Sequence, residues 1–292
     1  MSEVQTDTAV PGEDRPAAHR DLGGLTLRVA TLNAWGMRGD WAARLPVFQQ
    51  GFRELDADIV TLQETILNEE ADQAAEMLGP GYHLAQQRER EQDGQGITTA
   101  SRHPFGQIFE VDFHVTARTY DFACTCLVTE VLAPEPFGRV WVANHFPDYQ
   151  LDHERERCLQ SAAAARRLES LVLQSPGHVI VAGDMDADEA ADSMRFWTGR
   201  HVIGDLSVCY RSAWESARPG ERLMTFTPEN PNSANPDWPF RGIDHILIRC
   251  GDTGGPSLPI RGCRRIFDRG PASASDHYGL VAEFGPSPEP VR

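Results

Sequence analysis

The chain has 292 residues, 40% hydrophobic and 24% charged, enough to bury a substantial core as one large domain or two small ones. Its formal net charge of −16 is the opposite of the basic footprint with which proteins grip a nucleic-acid backbone, which weighs against that class without excluding it. No run approaches the ~20 apolar residues of a membrane span and no secretory apolar stretch is present, so a cytoplasmic protein with no membrane span and no protein partner is expected.

Residues 1–21 are polar, proline-containing and aperiodic and read as a disordered leader. The folded domain is expected over 22–286, with 287–292 as a tail. Short β-rich apolar runs bounded by Gly, Pro, Asn and Asp predict strands at Leu27 to Leu32, Ile59 to Leu62, Phe122 to Leu132, Val140 to Ala143, Val179 to Ala182, Ile246 to Ile248 and Leu280 to Phe284. Between them, helical spacing predicts Trp41 to Leu55, capped by Asp40 and aligning Leu45, Phe48, Phe52 and Leu55. Further helices are expected over Glu69 to Leu78, over Asp152 to Leu173 with a stop at Ser175-Pro176-Gly177, and over Asp188 to Trp197 with Asp188 as cap. Prolines 228, 231, 236 and 239 exclude regular helix from Thr225 to Phe240. That loop leads into Arg241-Gly242-Ile243-Asp244 and reads equally as a substrate wall or a structural crossover. Cysteines at 124, 126, 158, 209, 250 and 263 form no Cys-x-x-Cys pair and support no disulfide framework. Cys124 and Cys126 share a strand face and read as small core residues. The residues by themselves give a mixed α/β protein.

Polar residues stand at the edges of the apolar runs: Asn33, Gln63-Glu64, Asn144-His145, Asp184 with Asp186, Asp244, and Asp276-His277. Carboxylates bind a hard divalent cation and imidazole moves protons near neutral pH, so the set suits phosphate-ester hydrolysis. Taken singly, Glu64 reads as an exposed acid at a strand exit, Asn33 as a turn residue and Asp276-His277 as a surface dipeptide.

The order Leu-Asn-Ala-Trp-Gly (32–36), Leu-Gln-Glu (62–64), Ser-Arg-His-Pro-Phe (101–105), Asn-His-Phe (144–146), Gly-Asp-Met-Asp (183–186), Ile-Asp-His-Ile (243–246) and Ser-Asp-His (275–277) resembles the endonuclease/exonuclease/phosphatase superfamily. The resemblance implies a DNase I-like four-layer α-β-β-α sandwich, two mixed or antiparallel sheets flanked by helices, although no internal repeat is visible. It also implies that Asn33, Glu64 and Asp276 lie on the metal side and that Asp184 positions or activates the attacking water. Asp244 would orient His277 toward the scissile phosphate, and His145 would bind phosphate or protonate the leaving oxygen. Gln63 reads as a supporting hydrogen bonder, and strand alternation points His245 away from Asp244.

Asn144, Arg102 and Arg241 are expected to contact substrate, the two arginines equally well fixing their loops. Asp186 stands where the family carries asparagine. A carboxylate only accepts hydrogen bonds, so Asp186 is expected either to be protonated or to join Asp184 in holding a second divalent ion. The implied cofactor is Mg²⁺ or Mn²⁺. The expected function is metal-dependent hydrolysis of a small or accessible phosphodiester or phosphomonoester by in-line attack of water on phosphorus. A DNA or RNA nuclease and a non-catalytic phosphate-binding protein are the alternatives.

Overall fold

The computed structural model describes residues 24–233, 238–268 and 274–287; the expected leader at 1–21 and all but Ser287 of the tail lie outside them. Every apolar run read as a strand forms one: β1 (Leu27–Asn33), β2 (Ile59–Ile66), β6 (Thr125–Leu132), β7 (Arg139–Phe146), β8 (His178–Asp184), β10 (Asp244–Arg249) and β12 (Gly279–Phe284). Five more were not expected: β3 (His83–Gln86), β4 (Gln95–Ser101), β5 (Phe105–Asp112), β9 (Tyr210–Ser212) and β11 (Ile260–Ile266). They build two six-stranded sheets, ordered β11-β12-β1-β2-β4-β3 and β5-β6-β7-β8-β10-β9.

Helix α1 (Trp41–Leu55) begins where the Asp40 carboxylate accepts the Ala43 N–H at 3.0 Å and ends at Asp56 in the left-handed region. Its Phe48, Phe52 and Leu55 pack with α2 (Gln73–Leu78) on the outer face of the first sheet. Helix α3 (Glu154–Gln174) covers the second sheet with α4 (Asp192–Trp197). The fourth expected helix starts late: Asp188 caps a turn by accepting the Ala190 N–H, and Ala191 is the residue before the helix. Short α5 (Ala213–Ala217) follows β9.

Each sheet has a parallel pair joined through a helix, β1-α1-β2 in one and β7-α3-β8 in the other, with antiparallel neighbours. Strand alternation sends Val140, Val142, Ile180, Ala182, Ile246 and Ile248 toward Val29, Ile59, Leu280 and Ala282 between the sheets. Trp141, Ala143, Val179 and Val181 face α3 and α4. The result is the four-layer sandwich, and removing one buried aromatic such as Phe48 would cost about 3–5 kcal/mol. Among the described residues no helix is long and apolar enough to cross a membrane.

Candidate active site

The parallel pairs set the direction of the site. β1, β2 and β8 all finish at one end of the sandwich, carrying Asn33, Glu64 and Asp184 there, while antiparallel β10 begins there with Asp244 directly opposite Asp184. Gly183 allows β8 to lie this close to β7, since a Cβ at that position would run into the His145 carbonyl oxygen. Glu64 reaches the site through an irregularity. The β2 and β4 register shifts between Leu62 and Thr65, and Glu64 has φ 54°, so the bulge turns its side chain out of strand alternation.

Asn33 is the clamp between the sheets. Its Nδ2 donates to Glu64 Oε1 at 2.9 Å and to Asp184 Oδ2 at 3.0 Å, while its Oδ1 accepts the Trp35 N–H at 2.9 Å. Arg38 donates to Glu64 Oε2 at 2.5 Å. Buried Arg44 donates to the carbonyls of Ala34, Gly36, Arg38 and Ala274, fixing the loop after β1 against the segment before His277. Burial lowers the Arg44 guanidinium to about 10, with Asp276 opposing that fall.

His277 Nδ1 lies 3.0 Å from Asp244 Oδ2 and 3.9 Å from Asp184 Oδ2. Burial alone would discharge the ring, but Asp244, Asp184 and Asp276 together hold its pKa well above the ordinary imidazole value. Burial, then Asp186, pushes the Asp184 carboxyl well up, against His277 and the Asn33 hydrogen bond. Burial pushes Asp186 and Asp276 to about 6, with His277 opposing in each case. Asp186 adopts φ 48°, and its N–H donates to Asp184 Oδ1 at 3.1 Å. The loop from Thr225 buttresses this cluster. Thr225 Oγ1 accepts the N–H groups of Ile243 and Asp244, and Asn230 Nδ2 donates to the Ser275 carbonyl.

Glu64, Asp184, Asp186, Asp276, His277 and Arg241 line a cavity of about 710 Å³. A larger groove of about 1260 Å³ between α1 and β11 contains none of these six residues. The carboxylate oxygens are hard donors, and burial makes their joint ionisation unfavourable without a compensating cation, so the residues present fit a divalent metal ion.

Three expected site residues lie elsewhere. His145 faces the helices, edge-on to Phe113 and Trp197, and neither ring nitrogen has a hydrogen-bond partner among the described residues. Asn144 points between the sheets, where its Nδ2 donates to the carbonyls of Leu62 and Thr98 and its Oδ1 accepts from Gln63. Arg102 follows β4, which runs antiparallel to β2, so it sits at the far end of the sandwich with Asp56 at 2.6 Å. Arg241 does line the cavity and donates to the Asp186 carbonyl at 3.3 Å. His245 turns away, its Nε2 at 2.9 Å from the Ala187 carbonyl oxygen. Sequence reasoning missed Arg38, Arg44 and a group of cavity aromatics, among them Phe146.

Burial lowers the His145 pKa to about 3. The folded form therefore stays neutral while the unfolded chain protonates near 6.5, and its stabilising share, complete above 6.5, is lost as pH falls from there toward 3. His145→Phe should relieve this loss, flattening urea-unfolding stability by roughly 2–3 kcal/mol between pH 7 and 4.5 relative to the unmodified chain. Parallel pH curves for the two proteins would refute the buried neutral ring.

The family model for the endonuclease/exonuclease/phosphatase family matches residues 30–277. Among solved structures, D. rerio TDP2 complexed with single strand DNA product is similar at 19% identity and TM-score 0.69, over 89% of this chain and 99% of that one. The human Nocturnin catalytic domain with bound sulfate anion is similar at 17% identity and TM-score 0.66, over 90% and 95%. ANGEL2, described as a 2',3'-cyclic phosphatase and complexed with adenosine-2',3'-vanadate, is similar at 16% identity and TM-score 0.67, over 89% and 95%. No curated protein sequence gives a significant match.

Proposed function

The chain belongs to the endonuclease/exonuclease/phosphatase family, and on that premise we propose that it is a divalent-metal-dependent hydrolase of small phosphoesters that directs water in line at phosphorus. The observation that carries this reading is the convergence in one cavity of the Asn33-linked carboxylates Glu64 and Asp184 with His277, which Asp244 backs from behind.

Glu64, Asp184, Asp186 and Asp276 would hold the ion, which would supply Lewis-acid polarisation of the phosphoryl group. Asn33 keeps Glu64 and Asp184 together through its amide hydrogens. Asp184, buried and turned toward the cavity, would accept the proton from the attacking water. His277 is held protonated by Asp244 and presents its other ring nitrogen to a phosphoryl oxygen, stabilising charge that builds during displacement. Arg38 and Arg241 flank the cavity and are already engaged with Glu64 and Asp186.

The neighbouring TDP2 carries a DNA strand and ANGEL2 a nucleotide analogue, so nuclease action is the competing reading. The charge balance, 43 acidic against 27 basic residues, favours a small substrate over a polyanion. Purified protein should hydrolyse bis-p-nitrophenyl phosphate with Mg²⁺ or Mn²⁺ and lose turnover in excess chelator. Undiminished turnover in chelator, or preferential digestion of DNA or RNA over small esters, would sink this reading.

A further inference from the structure

We propose that Cys209 and Cys250 form a reversible redox site, a dithiol that a small disulfide such as glutathione disulfide converts to a bridge between β9 and β10. Their sulfurs lie 3.4 Å apart, and both thiols are free. The two strands bring them together by register. Arg249 stands opposite Tyr210, so one step further places Cys250 opposite Cys209, and the Cys250 N–H donates to the Cys209 carbonyl at 2.9 Å. Directly opposed residues of an antiparallel pair have Cα atoms roughly 4.5–5.5 Å apart, within the range of about 4.4–6.8 Å that a disulfide spans. Closing the sulfurs to about 2.0 Å therefore needs side-chain rotation and no shift of the backbone. That backbone is anchored from α3, where Glu169 accepts from the Tyr210 hydroxyl at 3.3 Å and from the Arg249 guanidinium at 2.7 Å.

The two thiols differ in the way a stepwise exchange requires. Cys209 is the only exposed cysteine of the six, and Cys250 is buried beside it. Burial, then the Cys209 thiol, pushes the Cys250 thiol up to about 11, against Arg211 and Arg249. The Cys209 thiolate attacks the oxidant's disulfide, forming a mixed disulfide and releasing one glutathione thiol. That step removes the Cys209 hydrogen bond, one of the influences holding Cys250 protonated. The Cys250 thiolate then attacks the Cys209 sulfur and expels the second glutathione, so two electrons and two protons have passed from the protein to the oxidant. An isolated exposed thiol would keep its adduct, whereas a second sulfur this close resolves it. The bridge closes a loop that carries Thr225, Asn230, Arg241 and Asp244, and it ties down β9, a three-residue edge strand. The cysteines are 41 residues apart, so the link also restricts the unfolded chain and stabilises the native state.

Native protein incubated anaerobically with glutathione disulfide should lose two hydrogens in intact mass, and non-reducing peptide mapping should join Cys209 to Cys250 without denaturant. Tm should rise by at least about 5 °C and return with dithiothreitol. Cys250→Ala should stall with one glutathione retained at Cys209, and Cys209→Ser should show neither bridge nor Tm shift. These readouts need no turnover, so they stand apart from the hydrolase reading, and the unmodified chain decides the matter if a variant fails to fold. A persistent glutathione adduct at Cys209 of the unmodified chain, a covalent dimer, a bridge to another cysteine, or an oxidised form with unchanged or lower Tm would overturn the site.

Discussion

His277→Ala and Asp244→Asn should each lower kcat on bis-p-nitrophenyl phosphate by about 10²–10⁴, with the double variant little worse than either. The two side chains are buried and joined at 3.0 Å, so the ring's orientation and charge depend on the carboxylate. Burial favours a neutral imidazole, and Asp244, then Asp184 and Asp276, reverse that preference. Asparagine at 244 preserves size and can still accept from Nδ1, yet it removes the nearest negative charge. The ring would then discharge at a lower pH, and activity should fall off earlier as pH rises, because the protonated form is required. Multiplicative losses in the double variant, or an unshifted alkaline limb in Asp244→Asn, would separate the two residues. Thermal unfolding of each variant distinguishes a lost reaction from a lost fold.

How much of this arrangement was legible depended on what the second face of each strand touches. Val179 to Ala182 read as a strand because both faces are covered, Val179 and Val181 by helices and Ile180 and Ala182 by the opposite sheet. β4 was illegible: Gln95–Ser101 is rich in Thr and Ser, and its burial is satisfied by contacts that only the folded state makes, such as Thr65 Oγ1 to Thr98 Oγ1 at 2.9 Å. β5 and β9 close one sheet and β11 and β3 the other, where half-exposed or very short edge strands carry no continuous apolar run.

The misplaced residues have the same origin. Had β4 been recognised as antiparallel to β2, Arg102 would have fallen at the end opposite Glu64. The His145 error is one of phase. Val140, Val142 and Asn144 form an inward series of period two, which assigns His145 to the outer face and Phe146 to the inner one. Glu64 reached the site by the opposite route, through a bulge with positive φ that no spacing rule announces. The Asp244–His277 contact was expected from resemblance alone, since 33 residues separate the pair in sequence. Arg44 gave no signal, because an arginine within an amphipathic helix ordinarily reads as solvent-facing.

Glu64→Ala should lower turnover by more than about a hundredfold, since even groups that only orient a metal's ligands are each worth about 10–100-fold. Asn33 would lose one of the two carboxylates it bridges and Arg38 its ion-pair partner, so the cation site would lose both a carboxylate and the tie that holds it beside Asp184. The corresponding readout without substrate is metal affinity. In the unmodified chain, Mg²⁺ or Mn²⁺ at a hundred times its Kd should add about 2.7 kcal/mol of stability, raising Tm by roughly 5–10 °C. Burial pushes Asp186 and Asp276 to about 6, so a cation must displace protons there at lower pH. Calorimetric affinity should therefore rise between pH 5.5 and 7.5, with proton release on binding growing as pH falls through about 6, and the dependence should shrink in Asp186→Asn. Metal affinity and Tm shift unchanged by Glu64→Ala would remove Glu64 from the cation site and leave it as the partner of Arg38 and Asn33.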